Sequence, residues 1–244
     1  MSKAVQCYND WRRGRTMAEF SVSSAAQAVT SPLRMTYEEY QAWAPEIHAE
    51  WKNGEVILFM PPKKYHQRVV EFLHTLLALF VEALDLGRIG IAPFEVKLSP
   101  DGSAREPDLF FVATPALDRW TTDRFIGGPD LVVEVISTDS VGRDRGDKFY
   151  EYQDAGVREY WIIDPRPGRE RVDCYMRDAD GHFQPLVPDD QGILRSVILS
   201  GLTLRLEWLW QDPPPPALMI LLELSRADTQ LADALRHMLG TEPG

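Results

Sequence analysis

The chain has 244 residues, 44% of them hydrophobic, with 26 Lys+Arg against 37 Asp+Glu and a formal net charge of −11. That length suits one large domain with a full core better than two. The acidic balance excludes a broadly basic phosphate-clamping surface, so any nucleic-acid contact has to be confined to a local basic patch.

Two widely separated cysteines, Cys7 and Cys174, offer neither a disulfide framework nor a zinc spacing and suit a reducing, cytoplasmic setting. No apolar stretch approaches the roughly 18 residues needed to span a bilayer, so no membrane partner is expected. Residues 1–34 have the composition of a flexible N-terminal extension. Arg12, Arg13 and Arg15, followed by a Ser/Ala-rich run, also allow a targeting peptide, but Asp10 and Glu19 count against it.

The ordered region is expected to open at Met35. Thr36 is a good helix N-cap, and Glu39 completes a capping box for a short helix that stops before Pro45. Asn53-Gly54 predicts a hairpin turn, with Glu50 just before it and Glu55 just after. From Lys64 to Leu86 the apolar residues recur at helical spacing, and Gly87 is a natural C-cap. His66 lies at the start of that helix on its apolar side. It is either a satisfied half-buried histidine or a contact to a nearby site.

Phe94–Leu98 and Glu106–Val112 are expected to form a hairpin, followed by a polar connection over residues 113–128. Leu131–Ser137 is a near-continuous apolar run, the pattern of a strand covered on both faces. A helix from about Val141 to Ala155, capped by Gly156, leads to a second apolar strand over Arg158–Asp164. Such a strand–helix–strand unit favours a parallel pair with a right-handed crossover. Arg171–Met176 and His182–Val187 suggest a peripheral hairpin, and Val197–Leu206 one more strand. Beyond the domain over residues 35–210, residues 211–244 carry a stiff four-proline linker and then a helical stripe that suits packing or oligomerisation.

Glu134 stands alone inside the apolar run, where a carboxylate is costly unless paired, protonated or bound to a cation. A structural ion pair or exposure at a sheet edge is the plainer alternative. Asp108 follows Pro107 and precedes Leu-Phe-Phe-Val. Two acids aimed from neighbouring strands suit a hard divalent cation such as Mg²⁺ or Mn²⁺. Metal-assisted phosphodiester cleavage also needs a positive group to orient water or stabilise the transition state. On a strand, the residue two after Glu134 shares its face, and that residue is Ile136. The lysine therefore has to come from elsewhere, and Lys148 on the following helix is well placed. Asp144, Lys148 and Tyr152 are spaced along one helix face, so a solvent-facing Lys148 paired with Asp144 is the alternative. The tripeptide Glu95-Val96-Lys97 has the form acid-x-lysine but the alternation of a half-exposed structural strand.

Taken together, Glu50 with Asn53-Gly54-Glu55, His66 on the long helix, Pro107-Asp108, and VVEVIS-TDS-RD-K-Y-GV-EYWIIDP resemble the Uma2 family of endonucleases, also called DUF820. That family belongs to the PD-(D/E)XK restriction-endonuclease-like superfamily. The resemblance covers about residues 35–190 and is most specific over 131–165. It implies an α/β fold with a restriction-endonuclease-like mixed β-sheet flanked by helices. Asp108 and Glu134 would be metal ligands, the Val135 carbonyl a third, and Glu50 an additional acid near the metal. Lys148 would replace the usual strand lysine, whose position is Ile136. The expected activity is Mg²⁺-dependent (or Mn²⁺-dependent) hydrolysis of DNA by a homo-oligomer, in the simplest case a dimer. The rival expectation is an inert nuclease-like fold acting as a protein interaction module. The net charge favours this rival, while the local set Arg143, Arg145, Lys148 and Arg158 counts against it.

Overall fold

The computed structural model describes residues 33–43, 49–58, 61–137, 146–238 and 240. The chain divides into two compact units, residues up to Phe59 and residues from Met60 onward. The expected helix start at Val141, along with Arg143, Asp144, Arg145 and the N-terminal extension before Leu33, lies outside the described residues.

The first unit contains β1 (Leu33–Arg34), α1 (Tyr37–Trp43), β2 (Ala49–Lys52) and β3 (Glu55–Leu58). Its strands pair antiparallel in the order β1-β3-β2. The capping box is formed: Glu39 N donates to Thr36 Oγ1 at 3.2 Å, and Thr36 N to Glu39 Oε2 at 3.0 Å. Asn53 (φ 48°) and Gly54 (φ 84°) both adopt the left-handed conformation that a tight two-residue hairpin needs. Leu33, Met35, Tyr40, Ala49 and Val56 form the unit's small core.

The second unit opens with the long helix α2 (Lys64–Ala83), then β4 (Gly87–Ile91), β5 (Glu95–Lys97), β6 (Ala104–Arg105), β7 (Leu109–Ala113), a 3₁₀ turn (Thr114–Arg119) and β8 (Arg124–Ile126). It continues with β9 (Leu131–Val135), α3 (Lys148–Asp154), β10 (Glu159–Asp164), β11 (Arg171–Arg177), β12 (Phe183–Pro185), β13 (Ile193–Arg195) and β14 (Thr203–Arg205). After a second 3₁₀ turn (Leu206–Trp210) come α4 (Ala217–Leu224) and α5 (Thr229–Met238).

The main sheet has the order β12-β11-β10-β9-β7-β4. Its one parallel pair is β9–β10, as the strand–helix–strand pattern implies. Side chains alternate across this sheet. Leu131, Val133 and Val135 pack with α2, while Val132 and Ile136 pack with Tyr152, Val157 and Tyr160 on the opposite face. All five residues of β9 are buried, which is why the strand lacks polar alternation.

Several expectations need correction. The long helix ends at Ala83, and Asp85 takes the left-handed turn (φ 50°). Gly87 is not its cap. It opens β4, an unexpected strand, at φ 149°, where a Cβ would lie 2.1 Å from the Val112 carbonyl oxygen. β5 pairs with β6 rather than with a strand starting at Glu106, and β7 joins the main sheet instead. The 113–128 connection contains a 3₁₀ turn and a strand. The expected strand over Val197–Leu206 shrinks to Thr203–Arg205, paired with β13. The tail is two helices, with Ile220, Leu221, Leu231 and Leu235 buried in the core around α2. No helix among the described residues is long and apolar enough to cross a membrane.

Candidate active site

Glu134 lies on the Val132/Ile136 face of β9, two residues from each, and is 4% exposed. Two donors meet its Oε1: the Lys148 ammonium at 2.9 Å and the Tyr152 hydroxyl at 2.6 Å. Lys148 is only 2% exposed. It is therefore buried against Glu134 rather than solvent-facing. The ordinary lysine position is filled by Ile136, which is wholly buried in the apolar layer.

Asp108 enters from the next strand. Leu109 pairs with Val133 in the antiparallel ladder, so Asp108, immediately before β7, is the next residue along the register toward Glu134. The backbone fixes its carboxylate: Val135 N donates to Asp108 Oδ2 at 2.7 Å. His66, in the first turn of α2, brings Nε2 to 3.3 Å from Asp108 Oδ1. Its Nδ1 is buried with no hydrogen-bond partner among the described residues. His66 is thus both a buried histidine and a neighbour of the site.

α3 carries the lysine to this position because it is tied down independently. Arg105, wholly buried on β6, makes a bidentate pair with Glu151 through Nε (2.8 Å) and Nη2 (2.9 Å). Gln153 Oε1 accepts the Phe183 amide at 2.8 Å. Phe149 packs edge-on against both Tyr175 and Phe183. Sequence spacing puts Tyr152 one turn beyond Lys148 but assigns it no role. The spacing itself, four residues on the same helix face, is the signal that points to it.

Glu50 belongs to the first unit, buried on β2 opposite Ile57. In the acid-x-lysine tripeptide, Lys97 is buried and donates to the Gly102 carbonyl at 2.6 Å, and Glu95 pairs with Arg124 at 3.2 Å. The alternation predicts a half-exposed Lys97; its ammonium instead closes the β5–β6 turn. Arg158 pairs with Asp130 at 3.2 Å, and Asp130 also accepts the Ala113 amide at 2.8 Å. The second Pro-Asp dipeptide, Pro129-Asp130, thereby ties β9 to β7.

The donor set fits a hard divalent ion. Glu134 on β9 and Asp108, immediately before the neighbouring β7, supply two carboxylates, and the Val135 amide donates to Asp108. No group of three or more His, Cys, Asp or Glu residues is arranged for metal binding among the described residues. That disfavours a closed cage of protein side chains. It is compatible with Mg²⁺, which keeps several waters and is usually held by one or two carboxylates plus substrate phosphate oxygens.

Residues 37–207 match the Uma2 family, described as "Putative restriction endonuclease". The chain belongs to the Uma2 family. Both acids, the lysine and Tyr152 fall inside the matched Uma2 segment. A relative in Synechocystis sp., named "Uncharacterized protein slr1290", is 29% identical over 183 residues, covering 72% of this chain and 93% of the relative. A solved structure described as a putative nuclease belonging to DUF820, from Anabaena variabilis, superposes with a TM-score of 0.55 at 18% identity. The match covers 66% of this chain and 89% of that one. At that identity the likeness establishes the fold: a mixed α/β nuclease-like architecture with sheets flanked by helices.

Proposed function

We propose that this Uma2 protein is a Mg²⁺- or Mn²⁺-dependent endonuclease that hydrolyses phosphodiester bonds in DNA. The observation that carries the reading is the buried Lys148–Glu134 pair at 2.9 Å, with Asp108 held by the amide of Val135, the residue next to Glu134. Asp108, Glu134 and the Val135 carbonyl would hold the ion. Bound there, a divalent cation supplies Lewis-acid polarisation of the phosphate and lowers the pKa of its water.

The protein's own groups do the rest. The Lys148 ammonium has three N–H donors. One serves Glu134, and another orients the attacking water. In hydrolysis the water oxygen forms a bond to phosphorus, and the bond from phosphorus to the leaving ester oxygen breaks. The positive charge of Lys148 stabilises the charge that builds on the phosphoryl oxygens as this happens. The apolar layer of Val132, Ile136 and Tyr160 beneath Glu134 keeps bulk water from its pair with Lys148.

The test is cleavage of single-stranded, linear duplex and supercoiled DNA with Mn²⁺ or Mg²⁺, run beside Glu134→Gln, Asp108→Asn and Lys148→Met. Metal-dependent cleavage lost in all three folded variants is the expected result. Full cleavage by Glu134→Gln or Lys148→Met would refute the assignment. Absence of cleavage together with absence of Asp108-dependent Mn²⁺ binding in calorimetry would instead favour the interaction module.

A further inference from the structure

Tyr152 has no assigned part in the chemistry, yet its hydroxyl reaches the carboxylate oxygen that receives the lysine. Tyr152 is wholly buried, and its O–H donates to Glu134 Oε1 at 2.6 Å, shorter than the 2.9 Å contact from Lys148. A buried tyrosine needs an acceptor somewhere, and a backbone carbonyl would satisfy it. Here the acceptor is Glu134, the carboxylate that meets the buried Lys148 ammonium at 2.9 Å.

The ring is fixed by packing. It meets Tyr160 of β10 edge-on with centroids 5.1 Å apart, and Tyr160 stacks on Phe183 at 5.9 Å. Arg105–Glu151 and Gln153–Phe183 hold the same turn of α3 in place. The hydroxyl is therefore delivered from a rigid platform, whereas the Lys148 ammonium ends a flexible four-carbon stem.

We propose that Tyr152 is the positioning residue for Glu134, fixing the rotation of its carboxylate so that the acid stays aligned for a divalent cation while Lys148 serves the attacking water. This inference rests on the metal-dependent reading above. Each time the ammonium reorients toward water, Glu134 risks losing a donor. The hydroxyl keeps Oε1 held through that step. Hydrogen-bond partners of metal ligands typically contribute 10–100-fold to metal affinity or activity.

The experiment is a calorimetric titration of Mn²⁺ into the full chain, wild type against Tyr152→Phe, with melting midpoints measured in EDTA. Tyr160→Phe serves as control, since it removes a second hydroxyl from the same aromatic cluster while leaving the Tyr152–Glu134 bond in place. Tyr152→Phe is expected to weaken Mn²⁺ binding about tenfold or more. Cleavage by that variant should recover toward the wild-type rate as Mn²⁺ is raised, and Tyr160→Phe should bind like wild type. Mn²⁺ affinity in Tyr152→Phe within threefold of wild type would overturn the proposal. So would an equal loss in Tyr160→Phe, which would make the effect one of core packing. If the wild type binds no Mn²⁺ at all, the metal-dependent reading itself fails and takes this inference with it. Wild-type binding with an unaffected Tyr152→Phe variant refutes the inference alone.

Discussion

Replacing Lys148 with methionine separates the structural from the chemical work of the buried pair. The two side chains are 2% and 5% exposed and meet at 2.9 Å. Methionine keeps the length and apolar stem of lysine but leaves Glu134 as a buried carboxylate with the Tyr152 hydroxyl still on Oε1. Breaking one side of a buried pair costs about 3–5 kcal/mol, because the surviving charge is left uncompensated. For a chain of this size each kcal/mol shifts the melting midpoint by roughly 2–4 °C, so a fall on the order of 6–20 °C is expected. The double variant Lys148→Met/Glu134→Gln removes both charges, and most of the lost stability should return, with a coupling of about 2 kcal/mol or more in the double-mutant cycle. Denaturation in EDTA reads the stability, and a cleavage assay with Mn²⁺ reads the chemistry, which should be absent in single and double variants alike. Two results would refute this reasoning: a single variant as stable as wild type, which denies the buried pair, or a double variant that still cleaves, which denies the lysine its role.

Two more predictions concern the scaffold. Glu159 is wholly buried on β10 and accepts from Trp161 Nε1 (2.7 Å), Ser196 Oγ (3.0 Å), Val197 N (2.9 Å) and Ile198 N (3.0 Å). Burial raises its pKa above the ordinary 4.5, outweighing these hydrogen bonds. The folded state thus holds this proton more tightly than the unfolded state. Its stabilising contribution is full below 4.5 and is lost as pH rises through the raised value. Denaturant titrations between about pH 4 and 7 should show wild type gaining on Glu159→Gln as the pH falls; a flat difference would contradict the assignment. Truncation after Pro216 removes Ile220, Leu221, Leu231 and Leu235 from the core around α2. At about 1.5–3 kcal/mol for each buried side chain, the loss is comparable to a typical total stability of about 5–15 kcal/mol. The truncated chain is therefore expected in the insoluble fraction, and a soluble, cooperatively melting product would show the tail to be dispensable.

Much of the site is legible in the sequence because its signals are local and costly. A lone glutamate in an apolar run has few physical explanations, and strand alternation alone assigns it to the face it shares with Val132 and Ile136. The proximity of Glu134 and Lys148 is readable for the same reason: a strand feeding directly into a helix confines where the helix's first side chains can reach. Non-local pairing is harder to read. Nothing in Glu106–Val112 reveals that the chain breaks at Pro107-Asp108 and passes from the β5–β6 hairpin into another sheet. That break nevertheless places Asp108 immediately before β7, with its carboxylate beside the Val135 amide. Gly87 resembles a helix cap because glycine serves both caps and close backbone approaches, and only the packing of β4 on β7 distinguishes them. Likewise the tail's apolar stripe fits either one long helix or two short ones; the turn at Ser225–Asp228 lets both helices lay leucines on α2.

The acidic composition also takes on a different meaning once the pairs are located. Arg105 is spent on Glu151, Arg158 on Asp130, Arg124 on Glu95 and Arg166 on Asp164, all within the second unit. The first three fasten separate segments of the chain to one another, and Arg166 reaches back across its own turn. Counting arginines in the sequence therefore overstates the charge available to a phosphate backbone. Lys148 belongs to a different class: it is buried, yet its partner is an acid of the proposed metal site. Under the proposed function, a divalent cation beside Glu134 would relieve the same carboxylate that the lysine now neutralises and would free the lysine to serve water. Metal binding and lysine mobility would thus be coupled, under that proposal, through one carboxylate, making the orientation of Glu134, more than that of the lysine itself, the feature the fold has to defend.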